Sequence, residues 1–285
     1  MTRTARAATP ARAATPPARV AFWIATLGAL GFTARAAIVG PPPAWLAACV
    51  LGAYVGLLLL GVMRLSLRVF VDAIVRGPAG ARGVVLTFDD GPDPVWTPKV
   101  LDALDAADAK ATFFLIGRKV KKYPEVARAI VERGHAIGLH SFRHERLMSL
   151  RLADAWRRDL ERGLRAIEEA TGEDVRLFRP PIGHTNPSVP RVLRDLGLVT
   201  VGWSCSGRDG VAGDPDAIAR RIEGGLEDGA IVLMHDASER EDRAPDGVRA
   251  LPKVLDAIRA KGLRVVPLAD WLGAPRSSRD AARAG

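Results

Sequence analysis

Two adjacent carboxylates at the end of a short apolar segment are the first residues in this sequence that could do chemistry. Asp89 and Asp90 follow the segment GVVLTF and precede Gly91 and Pro92. Asp-Asp-Gly-Pro is by itself typical of a turn. Two neighbouring carboxylates nevertheless repel each other, and a bound cation relieves that repulsion. One carboxylate could then bind a metal while the other accepts a proton.

The segment HSFRH contains a second chemical group, a pair of histidines. His140 and His144 follow the apolar segment AIGL and lie four residues apart, which predicts that both imidazoles share one face of a helical turn. Together with Asp90 they offer two nitrogens and one oxygen, a three-ligand metal site with room for water. Such a site can polarise a carbonyl and activate water. Histidine pairs also occur by chance on protein surfaces.

These residues lie where short apolar segments alternate with helical patterns, which predicts parallel βα units. At least six such units in about 195 residues favour a barrel with its active site at the carboxyl ends of the strands. The strands are predicted at residues 83–88, 111–116, 136–139, 198–204 and 230–235. The helices are predicted at residues 97–108, 124–133, 152–171, 188–196, 214–227 and 248–261.

Five ordered segments carry a resemblance to a known family. They are TFDDGP, HSFRH, RPPIG, WSCSGRD and LMHD. Their order and spacing resemble the motifs of the NodB-homology polysaccharide deacetylases, carbohydrate esterase family 4. The resemblance covers about residues 82–272 and implies an α/β fold, a distorted (β/α) barrel. It also implies that the protein hydrolyses N-acetyl groups on the amino sugars of a glycan.

The resemblance implies that Asp90, His140 and His144 bind a divalent metal. Zinc is the default ion, with cobalt, nickel or manganese as alternatives, because all four accept two imidazoles and a carboxylate.

Four further residues receive roles from the same resemblance. Asp89 would be the general base that deprotonates the attacking water, and Arg179 would hold it by a charge-assisted hydrogen bond. His235 would be the general acid that protonates the leaving amine, with Asp209 orienting it. A backbone N–H from residues 91–93 or from the Ile182 loop would help the metal to stabilise the oxyanion.

Several positions depart from the family pattern and leave the substrate open. They are Leu139, Ile182, Ser206 and Gly210. Deformylation, O-deacetylation or opening of a cyclic amide would use the same metal site. A non-catalytic membrane protein that binds glycans is the alternative from another functional class.

Three other aromatic or imidazole side chains are open to interpretation. His135 is expected to be a structural histidine with a hydrogen-bond partner. His184 could equally touch a sugar or face solvent. Trp203 is expected to fill the barrel core rather than line the pocket.

Residues 1–71 contain seven arginines and no acidic residue, so they account for most of the net charge of +9. This excess lies beside apolar segments rather than on a folded face, which argues against a nucleic-acid partner. The two cysteines do not suggest a disulfide framework.

The N-terminal region is predicted to be a membrane anchor. Residues 1–19 read as a disordered basic tail and residues 20–63 as a transmembrane hairpin interrupted at Pro41–Pro43. A signal peptide is the alternative for the first span. Residues 64–81 are expected to be a juxtamembrane linker, either an interfacial helix or an exposed helix. The deacetylase domain is expected at residues 82–273, before a disordered tail at 274–285.

Arginines flank both outer ends of this hairpin, whereas its connecting GPPP is neutral. The positive-inside tendency therefore places both ends, and with them the catalytic domain, on the cytoplasmic side of the cell membrane. A polyprenyl-linked glycan would be reachable there, with membrane lipid as a second partner. An extracytoplasmic domain would instead indicate a cell-wall or exported polysaccharide.

Overall fold

The computed structural model describes residues 15–211, 213–238 and 245–272. Residues 1–14 of the expected basic tail and the whole expected tail at 274–285 lie outside the described residues. The end of the basic tail was predicted wrongly, because residues 17–19 already belong to the first helix, which begins at Pro17.

One eight-stranded sheet forms the centre of the molecule, in the order β1-β6-β5-β4-β3-β2-β8-β7. Its strands are β1 (Ala73–Ile74), β2 (Val85–Asp89), β3 (Thr112–Leu115), β4 (Ala136–Leu139), β5 (Leu177–Phe178), β6 (Val199–Val201), β7 (Cys205–Ser206) and β8 (Ile231–His235). Every neighbouring pair is parallel. All carboxyl ends therefore lie at the same edge of the sheet, as the alternation of strands and helices predicts.

A single chain segment brings the two ends of this strand order together. Only residues 202–204 separate β6 from β7. β6 pairs with β5 and β1, whereas β7 pairs with β8. Between them, the Ser204 N–H donates to the Ile231 carbonyl at 3.1 Å. The sheet therefore curls back on itself, and the expectation of a distorted (β/α) barrel is confirmed.

Most of the helices cover the outer side of this barrel. They are α3 (Trp96–Ala106), α4 (Gly117–Lys122), α5 (Pro124–Glu132), α6 (Ala153–Thr171), α7 (Val189–Asp195), α8 (Pro215–Gly225), α9 (Asp246–Ala260) and α10 (Ala269–Leu272). The six predicted helices correspond to α3, α5, α6, α7, α8 and α9, and each end agrees within two residues. The sequence analysis did not predict α4, whose GRKVKK has no apolar stripe.

Side chains along β2 point alternately to the two faces of the sheet, and each face has its own hydrophobic core. All five residues of β2 are buried. Leu86 and Phe88 belong to the main core under the helices, whereas Val85 points to the other side of the sheet with Thr87 and Asp89. The inner cluster comprises Val85, Phe114, Val201, Ile231 and Leu268. Asp89 therefore stands at the open end of the packed interior of the barrel.

Two apolar helices precede the barrel, α1 (Pro17–Val39) and α2 (Ala44–Met63). Their mean hydropathies are 1.5 and 2.4, and only 6% of each apolar window is buried. The aromatic rings of Phe22 and Tyr54 stack between the two helices at 6.1 Å. By length and composition, both helices are candidate membrane spans.

The segment after α2 corrects the expectation of a helix between residues 64 and 76. A 3-10 turn forms at Leu65–Leu67, and Arg68 then adopts a left-handed conformation with φ 52°. Val69, Val71 and Ala73 are buried in alternation, which is the period of a strand rather than of a helix. The linker thus contributes β1 to the sheet.

The hairpin contacts the barrel at its base. Arg19 at the start of α1 donates to the carbonyl of Val69 at 2.9 Å and pairs with Asp72 at 2.8 Å. At the end of α2, the Val62 carbonyl accepts a hydrogen bond from Thr185 N at 3.1 Å. The base of the hairpin is therefore attached both to the segment that leads into β1 and to the loop that follows β5.

The packing of α6 gives a stability prediction. Trp156 is fully buried and its ring meets Phe178 edge-on at 6.4 Å. Trp156→Ala should lower the free energy of unfolding by about 3–5 kcal/mol, because it opens a large cavity. Val211→Ala removes an exposed side chain and should change it by less than about 0.5 kcal/mol. Denaturant unfolding of both variants measures the difference, and equal values would contradict the assignment of Trp156 to the core.

Candidate active site

The barrel brings the predicted site residues to one place, the carboxyl ends of its strands. Asp89 ends β2 and His235 ends β8, and these two residues are partners in the parallel ladder. His140 follows β4 and Arg179 follows β5 directly.

Asp90, His140 and His144 form a buried cluster whose ligand atoms all lie within 4.8 Å of one another. Asp90 Oδ1 lies 3.3 Å from His144 Nε2 and 3.7 Å from His140 Nε2. Ligands about 2.1 Å from a tetrahedral metal are about 3.4 Å apart. Asp90 Oδ1 is buried and forms no hydrogen bond within the described residues. The geometry and the donor set therefore fit a divalent metal.

The histidine pair is not on a helical turn, so that prediction was wrong. The chain after β4 is a loop, in which Ser141 and His144 have left-handed backbones with φ 66° and φ 57°. Ser141 Oγ accepts the His144 N–H at 2.9 Å, and Asp159 accepts the Phe142 N–H at 2.8 Å. These side chains hold a strained loop in place, and the strain lies at the candidate metal site.

The environment of His140 suits a metal ligand. Its Nδ1 lies 2.8 Å from the carbonyl oxygen of Arg179. Since a carbonyl can only accept, Nδ1 carries the proton and the Nε2 lone pair faces Asp90. Burial, together with the neighbouring His144, lowers the pKa of His140 to about 3. The imidazole is therefore neutral, the form that binds metals.

Asp89 and Arg179 form a buried ion pair. Arg179 Nη1 donates to Asp89 Oδ1 at 2.7 Å, and both side chains are almost completely buried. Burial raises the pKa of Asp89, and Arg179 opposes that rise. The other carboxylate oxygen, Oδ2, lies 3.7 Å from His140 Nε2. Asp89 can thus accept a proton beside the candidate metal ligands while Arg179 fixes its orientation.

His235 has the opposite electrostatic environment. Asp209 Oδ1 lies 3.1 Å from His235 Nδ1, and Asp209 Oδ2 accepts the His235 backbone N–H at 2.7 Å. Burial disfavours the imidazolium, but Asp209, Asp90 and Asp89 outweigh burial and raise the pKa of His235 to about 10. His235 can therefore hold a proton at neutral pH, as a general acid must.

Comparison with known proteins decides the family. A profile of the polysaccharide deacetylases matches residues 76–201. A peptidoglycan-N-acetylglucosamine deacetylase of Bacillus cereus is 35% identical over 198 residues, 68% of this chain and 90% of that protein. A chitooligosaccharide deacetylase of Sinorhizobium fredii is 35% identical over 201 residues, 68% of this chain and 93% of that protein. The chain belongs to the polysaccharide deacetylase family.

Solved structures show the same barrel. The structure of a peptidoglycan N-acetylglucosamine deacetylase aligns with a TM-score of 0.65 at 30% identity. The alignment covers 71% of the present chain and 93% of the solved chain. A family 4 carbohydrate esterase pseudoenzyme from Bacillus anthracis has a TM-score of 0.64 at 30% identity, covering 72% of this chain and 71% of its own. Family membership alone therefore does not decide activity, and the individual residues matter.

The four positions that depart from the family pattern have different environments. Ile182 is partly exposed and has a left-handed backbone with φ 50°. A Cβ on Gly210 would come within 2.9 Å of the His235 ring, so the backbone packs directly against that imidazole. Leu139 is buried in the main core, and Ser206 Oγ accepts the Arg208 N–H at 3.1 Å. Gly210 therefore borders the candidate acid His235, whereas Leu139 is part of the main core.

The remaining imidazole and indole side chains have distinct positions. His135 precedes β4, at the end of the strands opposite the site, and its Nδ1 accepts the Ala111 N–H at 3.2 Å. The structural interpretation of His135 is confirmed. His184 is half-buried, and burial lowers its pKa. Trp203 packs against both cores as expected, but its ring also lies against Gly183 in the loop that follows β5.

Sequence reasoning missed a buried support under Asp90. Lys119 Nζ donates to the Asp90 carbonyl at 2.8 Å and to the Ser238 carbonyl at 2.7 Å. Thr97 Oγ1 donates to Asp236 at 2.5 Å, and burial raises the pKa of Asp236 to about 7. A Cβ on Gly91 would lie 2.4 Å from Asp236 Oδ2. The adjacency of Asp236 to His235 was a visible signal, whereas nothing in GRKVKK distinguishes Lys119.

The Asp209–His235 pair predicts a pH effect. An imidazole can donate a proton only while it is protonated, and that form of His235 is lost as pH rises through its pKa. Asp209→Asn removes the charge that raises this pKa, so the alkaline limb of kcat/KM against pH should move to lower pH. Asp195→Asn, at an exposed ion pair with Arg157, should leave the limb in place. Identical alkaline limbs in the two variants would contradict the pairing.

Proposed function

We propose that this protein removes the N-acetyl group from an amino sugar of a glycan by metal-assisted hydrolysis. The observation that carries the proposal is the pairing of Asp89 with His235 on adjacent strands beside the Asp90, His140 and His144 cluster. A carboxylate that would be the base and an imidazole that would be the acid thus lie next to one candidate metal site. The names of the relatives, peptidoglycan and chitooligosaccharide deacetylases, support the substrate class.

Asp90, His140 and His144 would hold the metal. A divalent ion there supplies Lewis acidity, which polarises the acetyl carbonyl and makes water a better nucleophile. Zinc is proposed because two imidazoles and one carboxylate are common catalytic zinc ligands, and cobalt, nickel or manganese would suit the same donors.

The protein's own groups would then move the protons. Asp89 accepts a proton from the attacking water, and Arg179 keeps the carboxylate pointed at it. His235 gives its proton to the sugar nitrogen as the C–N bond breaks, which releases acetate and a free amine. Asp209 keeps His235 charged until that step.

The oxyanion needs a backbone donor. The Asp93 N–H is already used by Thr97 Oγ1 at 2.9 Å, and Pro92 has no N–H. Gly91 and the Ile182 loop are the donors that we propose.

The substrate is proposed to lie at the membrane. α1 and α2 would form the transmembrane hairpin, and the arginines at its outer ends would place the barrel on the cytoplasmic side. A polyprenyl-linked amino sugar or a nascent glycolipid would be reachable there.

Substitution of the base tests the chemistry. Asp89→Asn should lower the rate of acetate release about 10²–10⁴-fold, because the amide cannot accept the proton. Its metal content should equal that of the wild type, since Asp90, His140 and His144 remain. Asp195→Asn is the matched surface control. Full activity in Asp89→Asn would remove this residue from the role, and an inactive wild type with bound metal would favour a non-catalytic protein.

Chelation tests the metal. Removal of the divalent ion should abolish acetate release, and zinc should restore it, because the neutral His140 and the carboxylate of Asp90 offer a vacant donor set. Acetate and formate release from a panel of N-acetyl, N-formyl and O-acetyl sugars also tests the acyl group. Activity that persists without metal would refute the metal mechanism.

Fusion of reporters to the C-terminus tests the location. A cytoplasmic reporter should be active and a periplasmic or extracellular reporter inactive, because the arginines flank both outer ends of the hairpin. The reverse result would place the barrel outside and indicate a cell-wall or exported polysaccharide.

A further inference from the structure

Exposed apolar side chains of the barrel are concentrated at the end that carries the site. Outside α1 and α2, the described residues include seven large apolar side chains that are exposed. Six of them lie in loops that follow the carboxyl ends of strands: Val95, Leu147, Leu150, Leu152, Ile182 and Val211. Only Val199 lies at the opposite end of a strand. Such one-sided clustering is typical of a surface that contacts a partner.

Three of these side chains belong to one short segment. Leu147, Leu150 and Leu152 are 67%, 74% and 80% exposed. They lie within residues 145–152, which we call the docking loop; it begins directly after the candidate ligand His144 and ends at α6. Met148, in the same 3-10 turn as Leu150, points inward and is buried. The turn is thus anchored by one apolar side chain and presents the others to the outside.

A basic cavity of about 490 Å³ adjoins the docking loop. Met148 and Arg151 of the docking loop form part of its wall. Its charged lining comprises five arginines (Arg143, Arg151, Arg158, Arg162 and Arg165) and three acidic residues (Glu145, Asp159 and Glu161). Glu145 lies 3.6 Å from Arg143 and 3.7 Å from Arg151. Five arginines against three acidic residues still leave a positive excess, which suits a phosphate group, for which the guanidinium is a preferred partner.

Hydrogen bonds connect the docking loop to the base of the hairpin. Asn186 Nδ2 donates to the carbonyls of Ser149 and Arg151 at 2.9 and 2.8 Å. The residue before it, Thr185, donates its N–H to the carbonyl of Val62 at the end of α2. A hairpin in a membrane therefore keeps the docking loop close to the same bilayer.

We propose that the docking loop binds a bilayer that contains anionic phospholipids, so that the end of the barrel with the candidate active site faces the membrane. The exposed leucines of the loop, Leu147, Leu150 and Leu152, enter the headgroup region of the bilayer. The arginines of the adjacent cavity contact lipid phosphates. The inference rests on the proposed membrane position of α1 and α2. The new element is that the barrel itself contacts lipid. An amino sugar on a membrane carrier can then bind at the site while its carrier stays in the bilayer.

Lipid-dependent quenching of a fluorescent label tests this contact in the full-length protein. Cys49 in α2 and Cys205 are both free, and burial raises the pKa of the Cys205 thiol to about 11, which keeps it unreactive. A thiol-reactive environment-sensitive dye is attached to Cys49, or to Leu150→Cys or Val199→Cys in a Cys49→Ala background. Each protein is reconstituted in phosphatidylcholine–phosphatidylglycerol vesicles that carry a nitroxide on the acyl chain.

The three label positions distinguish insertion of the hairpin in the membrane from contact of the docking loop with lipid. Loss of most of the emission at positions 49 and 150, with little loss at 199, is the result expected. Quenching at 49 alone would overturn the docking contact while the hairpin stays in the membrane. Quenching at none of the three would overturn both. Equal quenching at 150 and 199 would also overturn the proposal, because the contact would then not be specific to the docking loop.

The lipid composition tests the arginine contact separately. In vesicles of phosphatidylcholine alone, quenching at position 150 should fall while quenching at position 49 stays the same. Equal quenching at position 150 in both kinds of vesicle would overturn the role of anionic headgroups.

Discussion

The buried ion pair between Arg179 and Asp89 is the interaction on which the rest of the site depends. Arg179 is fully buried, and a charge in that position is tolerated only when its donors are satisfied. Its guanidinium donates to Asp89, to Thr87 Oγ1 and to the carbonyls of Val201 and Gly202. One side chain therefore links β2 to the end of β6, across the interior of the barrel.

The backbone of Arg179 adds a second connection. Its carbonyl fixes the tautomer of His140, and its guanidinium lies 4.2 Å from the centre of the Phe114 ring. The same residue thus orients the proposed base and one proposed metal ligand. Loss of the guanidinium would leave the Asp89 charge buried without its partner, so the site and the barrel are stabilised together.

Opposite environments give two histidines different chemistry within one small volume. His140 faces burial and a second imidazole, which lower its pKa to about 3. His235 faces three carboxylates, which outweigh burial and raise its pKa to about 10. Such a separation of pKa values suits one imidazole to bind a metal and the other to donate a proton. The residue type is the same, and the neighbours decide the role.

The apolar pattern was sufficient to predict the parallel βα units and six of the helices, and the ordered motifs predicted the barrel and the residues that meet at the carboxyl ends of its strands. This information is local, because strands and helices are encoded in the period of apolar residues, and DD, HSFRH and LMHD are contiguous. Three features were not predictable in this way: the loop conformation of HSFRH, the strand formed by Ala73 and Ile74, and the support from Lys119. They depend on left-handed backbones, on pairing between β1 and β6 and on a carbonyl 29 residues distant. Tertiary structure decided them, because hydrogen bonds between distant segments leave no periodic trace in the sequence.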